Sequence, residues 1–236
     1  MPQQTHINKR IEVFESWSET YDQSIVDLML NKFGVHYRDA ILGVARKAAP
    51  KPGEEVLDIA TGTGTVAMAL AEEADAECRI TGIDITQSML DSARSNVDAA
   101  GIGEVFEFRQ ASAEELPFAD ASYDVVTSSL ALHHTNAPAV LKECRRVLRP
   151  GGRVAIADVT ANKTWRGPAG AFYRLMDQVY MLGTESNDLF CQFHTGEEWL
   201  KLMRDGGFAS VEQKVFEPKH CWSRGIAIVS GVKPPA

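Results

Sequence analysis

The stretch "VLDIATGTG", Val56–Gly64, narrows the possible folds more than any other part of the chain. A short apolar run carrying one acid breaks into a turn made of Gly and Thr. Such a turn closes a buried strand and opens a helix, and glycine there permits positive φ and close approach of a ligand to the backbone. "GTGTVA", Gly62–Ala67, reads as G-x-G-x-x-A. No "GK[ST]" follows, so it is not a P-loop.

The alternation around this turn is regular. Glu55–Ala60 reads as a strand and Thr65–Glu73 as an Ala-rich helix. Arg79–Asp84 is the next strand, with Thr86 in N-cap position before the stripe Met89, Leu90, Ala93 and Val97. Val105–Ala111, Tyr123–Leu130 and Arg153–Val159 read as further strands. A helix opening near Asn136–Pro138 carries Val140, Leu141, Cys144, Val147 and Leu148, and "RPGG" stops it. Helical spacing is also expected over 8–32, 167–183 and Glu197–Arg204. The last two strands, 209–216 and 225–232, are expected to pair antiparallel. Strand–helix alternation implies βαβ units and a parallel sheet. Ligands of such sheets lie beyond the strands' carboxyl ends, at the switch point.

Composition removes several function classes. The chain has 236 residues, large for one domain but within range, and a formal charge of −8. An acidic surface argues against nucleic acid as a partner. With the polar opening "MPQQTHINKR" no secretory leader is expected, and no apolar run reaches the ~20 residues a membrane span needs. Cys78, Cys144, Cys191 and Cys221 form no C-x-x-C pair and read as free thiols. A cytoplasmic protein is expected.

Two acids give the Gly turn its chemistry. Asp84 ends the second strand twenty residues past Gly64. A carboxylate there accepts from ribose hydroxyls, as an adenosine cofactor requires. Both NAD and S-adenosylmethionine contain that adenosine. Asp58 discriminates between them: it would repel a pyrophosphate and attract an ammonium and a sulfonium.

With these stretches in hand, the chain resembles the class I S-adenosylmethionine-dependent methyltransferases, in the small-molecule group of the menaquinone and ubiquinone C-methyltransferases. "VLDIATGTG", "GIDIT", "ASAEELPFADASYDVV", "SSLALHH" and "RVLRPGGRVAIAD" carry the resemblance in family order, over roughly residues 12–232. It implies a Rossmann-like, doubly wound, seven-stranded α/β sheet, mostly parallel with a C-terminal antiparallel hairpin. It also implies that Asp58, Ala60, Gly62 and Gly64 surround the methionine part of S-adenosyl-L-methionine. Asp84 would hold the ribose, Ile85 would pack on adenine, and Ser112 and Ala113 would meet the adenine edge. The family commonly has Asp where Ser112 stands. Ser129 matches the position whose carbonyl faces the ammonium. Trp17, Tyr21 and Asp22 match a segment that covers the cofactor, with Tyr21 near its carboxylate.

The expected reaction is in-line methyl transfer to an O, C, N or S nucleophile of a small molecule. His134, His133 and Asp158, at the strands' carboxyl ends, are the candidate catalytic groups. Neighbours on an extended chain face opposite ways, so only one of the pair is expected to point inward, and the resemblance implies His134, since the family pattern often has His there. His194 is a further candidate on the lid. No third ligand is apparent beside the His pair, so no metal is expected. Residues 1–34 and 163–195 are expected to cover a single domain spanning 1–236. An NAD-dependent oxidoreductase and a non-catalytic S-adenosylmethionine-binding protein are the alternatives. Oligomeric state is not legible.

Overall fold

The computed structural model describes residue 15 and residues 21–75, 77–180 and 191–235. The first helix with described bounds, α1 (Tyr21–Leu28), runs into a π-helical turn, Met29–Phe33. Val13, Phe14, Trp17, Met181 and Phe190 lie outside the described residues, with much of the helix expected over 8–32. α2 (Tyr37–Ala48) follows. The sequence reading missed it because its buried stripe, Ala40, Ile41, Val44, Ala45 and Ala48, is mostly alanine and gives a weak periodic signal.

The remaining elements follow the expected alternation. They are β1 (Glu55–Ile59), α3 (Thr65–Glu73), β2 (Arg79–Asp84), α4 (Gln87–Ala99), β3 (Phe106–Gln110) and β4 (Tyr123–Ser129). Then come α5 (Ala137–Val147), β5 (Leu148–Thr160), α6 (Gly170–Tyr180), α7 (Gly196–Asp205), β6 (Ala209–Phe216) and β7 (Gly225–Val232). Asn136 caps α5 by accepting from the Ala139 N–H, and Pro138 occupies the first turn. Thr86 does sit at the N-cap of α4, but its hydroxyl makes no capping bond.

One sheet contains all seven strands in the order β3-β2-β1-β4-β5-β7-β6. β1 to β5 are parallel, while β7 runs antiparallel to both β5 and β6. Successive residues of the central strands enter opposite cores. Val56, Val125 and Ala155 pack with Ile41, Val44, Val66 and Leu70 of α2 and α3. Leu57, Val126 and Ile156 pack with Val140, Leu141, Trp199 and Met203 of α5 and α7. Helices on both faces explain the near-continuous apolar strand sequences. The strand order reverses between β1 and β4, which are parallel neighbours, and each strand is followed there by a non-glycine residue in the left-handed region: Ala60 at φ 53° and Leu130 at φ 53°.

Candidate active site

The strand ends at this switch point wall a cavity. Ala60 and Gly62 follow β1, Asp84 and Ile85 close β2, Ala111, Ser112 and Ala113 follow β3, and Ser129, Leu130 and Ala131 follow β4. Tyr21 of α1, Met89, Glu114, His134 and Thr135 complete the lining. Gly64 does not line it. That residue caps α3 at φ 85°, and a Cβ there would come within 3.2 Å of the Ala93 Cβ, so glycine lets the turn lie against α4.

The two acids occupy different depths. Asp58 is buried below the turn and is not part of the cavity wall. The Thr61 hydroxyl donates to its Oδ2 at 2.7 Å and the Thr127 hydroxyl to its Oδ1 at 2.7 Å. Burial pushes its pKa from 3.8 up to about 6, against the pull of those hydroxyls, and the nearby Asp84 charge adds to the rise. Asp84 does reach the wall. Its Oδ2 accepts from the Gly62 N–H at 3.0 Å and its Oδ1 from the Thr86 N–H at 2.9 Å. Burial raises its pKa too, opposed by those backbone donors. Among the described residues neither acid has a Lys or Arg partner. Burial, and next to it Tyr37, Asp84 and Asp22, hold the Tyr21 phenol far above 10, so it stays a protonated donor.

The histidines separate as the chain leaves β4 through a short 3₁₀ turn, Leu132–His134. His134 faces the cavity, while His133 is buried behind it. His133 Nδ1 lies 2.5 Å from Asp158 Oδ1, which also accepts from the Val159 N–H at 2.8 Å. The other oxygen, Asp158 Oδ2, is buried without a hydrogen-bond partner. The two imidazoles are tilted by 41° with centroids 4.0 Å apart. Cys191 joins them from a distant part of the chain, its Sγ 3.2 Å from His134 Nδ1. The Gln192 N–H donates to the His133 carbonyl at 2.7 Å and fixes this segment. His194 lies apart from the cavity, edge-on to Trp199, and burial lowers its pKa.

Comparison with known proteins agrees with this architecture. Residues 3–218 match the ubiE/COQ5 methyltransferase family. The chain is 34% identical to the ubiquinone/menaquinone biosynthesis C-methyltransferase UbiE of Xanthomonas campestris, over 86% of this chain and 83% of the relative. It is 33% identical to the demethylmenaquinone methyltransferase of Listeria welshimeri, over 75% and 74%. The geranyl diphosphate C-methyltransferase of Streptomyces coelicolor, solved with Mg²⁺, geranyl diphosphate and S-adenosyl-L-homocysteine, shares the fold at TM-score 0.66 and 12% identity, covering 83% of this chain and 79% of that one.

The chain belongs to the ubiE/COQ5 methyltransferase family. Like its relatives, it uses S-adenosylmethionine to methylate a small-molecule acceptor.

The cavity of this ubiE/COQ5 enzyme fits that cofactor by its own features. A Cβ at Gly62 would meet nothing within 4 Å, which leaves room at the backbone. Ser129 Oγ is buried there without a partner, ready for a polar ligand atom. Two buried carboxylates with no cationic partner among the described residues favour a positively charged ligand. Of the residues expected from sequence, Tyr21, Ala60, Gly62, Asp84, Ile85, Ser112, Ala113, Ser129 and His134 come together on one wall. Asp58, Gly64, His133 and Asp158 stand behind that wall. Sequence reading missed Glu114. The Ser112 hydroxyl accepts from the Glu114 N–H at 3.2 Å, which leaves the Glu114 carboxylate on the cavity two residues beyond the family's usual acid. Glu114 Oε1 accepts from the Asn136 N–H at 2.9 Å. The doublet "EE" at 114–115 was the available signal.

Proposed function

We propose that the enzyme methylates a ring carbon of a hydroxylated aromatic or quinol acceptor, with His134 as the base. The observation that carries this reading is an ionisable imidazole on a mostly apolar wall, beside Leu130, Ala131 and Met89. Bound S-adenosylmethionine supplies an activated methyl on a sulfonium. Asp84 would accept from the ribose hydroxyls and Tyr21 would donate to the cofactor's carboxylate. Asp58, behind the turn, would add negative potential that favours the cation.

His134 would take the hydroxyl proton of the acceptor, placing the oxygen's electron pair in the ring and making the adjacent carbon nucleophilic. Once that carbon carries the methyl group it would release its own proton to restore the aromatic ring, and the oxygen would regain a proton from the imidazolium. His133, held by Asp158 and packed behind His134, would act as a positioning residue. The described parts of the expected covers, residues 21–34, 163–180 and 191–195, would shield the acceptor from water. The relatives named for ubiquinone, menaquinone and demethylmenaquinone support an acceptor of this class. A net charge of −8 favours such a molecule over nucleic acid, and free Cys78 and Cys144 suit a reducing cytoplasm.

The test is incubation with S-adenosylmethionine and a short-chain demethylnaphthoquinol, read by mass spectrometry. The expected result is S-adenosylhomocysteine and a ring-methylated product in equal amounts. A methyl found on oxygen, or no turnover across a panel of phenols and quinols, would overturn the assignment.

A further inference from the structure

We propose that His133, His134 and Cys191 form a binding site for a soft divalent metal ion of the zinc class. One ligand atom from each residue lies within 4.8 Å of the other two. Zinc bonds of ~2.0–2.3 Å in a tetrahedron place ligands roughly 3.3–3.7 Å apart. Cys191 Sγ and His134 Nδ1, at 3.2 Å, already stand at about that separation. A rotamer adjustment of the third group by about an ångström completes the set.

Three further observations favour a cation. His133 gives Nδ1 to Asp158, which leaves Nε2 to coordinate. This is the carboxylate–histidine arrangement that orients zinc ligands. Asp158 Oδ2 is buried without a hydrogen-bond partner, an unmet acceptor beside the histidine pair. The backbone bond from Gln192 to His133 holds the cysteine segment against the histidine turn, so assembly needs no large motion.

Binding breaks the Cys191 S–H bond and forms a sulfur–metal bond. The proton leaves to solvent and nothing is oxidised or reduced. Two imidazoles and one thiolate select zinc, cobalt or copper over magnesium or calcium. Three protein ligands leave the fourth position open, beside the cavity that His134 lines. A metal-bound imidazole accepts no proton, so the loaded form and the proton-accepting form of His134 exclude each other. That consequence rests on the acceptor reading above, whereas the metal site does not.

The test uses the full chain, stripped with chelator, without cofactor or acceptor. Cobalt(II) is added and its uptake is measured by dialysis and absorption. The expected result is one equivalent bound, with tetrahedral ligand-field bands and a thiolate-to-cobalt charge-transfer band. Cys191→Ser should abolish that band and weaken binding at least tenfold, and Asp158→Asn should weaken it about tenfold. Cys221→Ser, at an exposed thiol, should leave band and stoichiometry unchanged. Failure of the wild-type chain to retain cobalt overturns the proposal. So does cobalt bound without the charge-transfer band, or a band that survives in Cys191→Ser.

Discussion

The carboxylate of Asp22 accepts a 2.6 Å hydrogen bond from the hydroxyl of Thr63, so α1 is tied to the turn between β1 and α3. Asp22 follows Tyr21, a cavity residue, and Thr63 stands between Gly62 and Gly64. The bond therefore couples the cover to the cofactor turn. Thr63→Val keeps the side-chain shape and removes the donor. A hydrogen bond to a carboxylate contributes about 1.5–3 kcal/mol, less with one partner exposed as Asp22 is, so about 1 kcal/mol is expected. S-adenosylmethionine should dissociate about fivefold faster in stopped-flow fluorescence, with turnover of saturated enzyme little changed. Unaltered dissociation would show that α1 does not retain the ligand.

Asp58 gives a pH signature. Its folded pKa of about 6 exceeds the ordinary 3.8, so between those values the native state holds a proton the unfolded chain has released. Stability from this group therefore falls as pH rises through that window and is level above it. Two units correspond to about 3 kcal/mol. Asp58→Asn should melt higher than wild type at pH 7 without ligand, because the amide keeps partners at Thr61 and Thr127. It should also bind S-adenosylmethionine at least tenfold more weakly. Wild-type affinity should rise with pH through 6, with net proton release seen when calorimetry is repeated in buffers of different ionisation enthalpy.

Asp84→Ala removes a carboxylate that two backbone amides use, and it removes the ribose acceptor. Calorimetry should show cofactor affinity reduced tenfold to a hundredfold. Asp84→Asn, which still offers one acceptor, should fall between the two. Equal affinity in all three proteins would sink the ribose assignment.

His134→Gln should lower kcat by about 10²–10⁴, the usual range for a lost general base. The cofactor dissociation constant should stay within twofold, since no cofactor contact is assigned to His134. An activity profile that keeps the wild-type acidic limb in this variant would place the base elsewhere.

Gly64→Ala combines a left-handed backbone with a 3.2 Å approach to Ala93. The conformational term alone costs about 1–2 kcal/mol. The melting temperature should drop by about 2–8 °C at this chain length, before any ligand is considered.

The sheet was legible because its signals are local and repeated. β2, β6 and β7 fall on the expected residues, since turn residues such as Gly206 and Gly207 and the loop over 217–224 bound them. α2 was hidden because alanine buries without adding periodic contrast. At the site, residues on the strand ends could be placed by counting from the Gly turn. The depth of Asp58 could not, because it depends on Thr127, a hydroxyl 69 positions away on a neighbouring strand. Cys191 is likewise beyond reach of spacing, since only the tertiary path of the chain brings it to the histidines.

Ala60 and Leu130, both left-handed at the ends of adjoining strands, have a consequence for how the empty enzyme breathes. Each holds strain of about 1–3 kcal/mol at the rim of the cleft. In hydrogen exchange, the amides of Thr61 and Ala131 should open well before those of β1 and β4. The molecule would then loosen first along its central seam, where it must part to let a nucleoside enter.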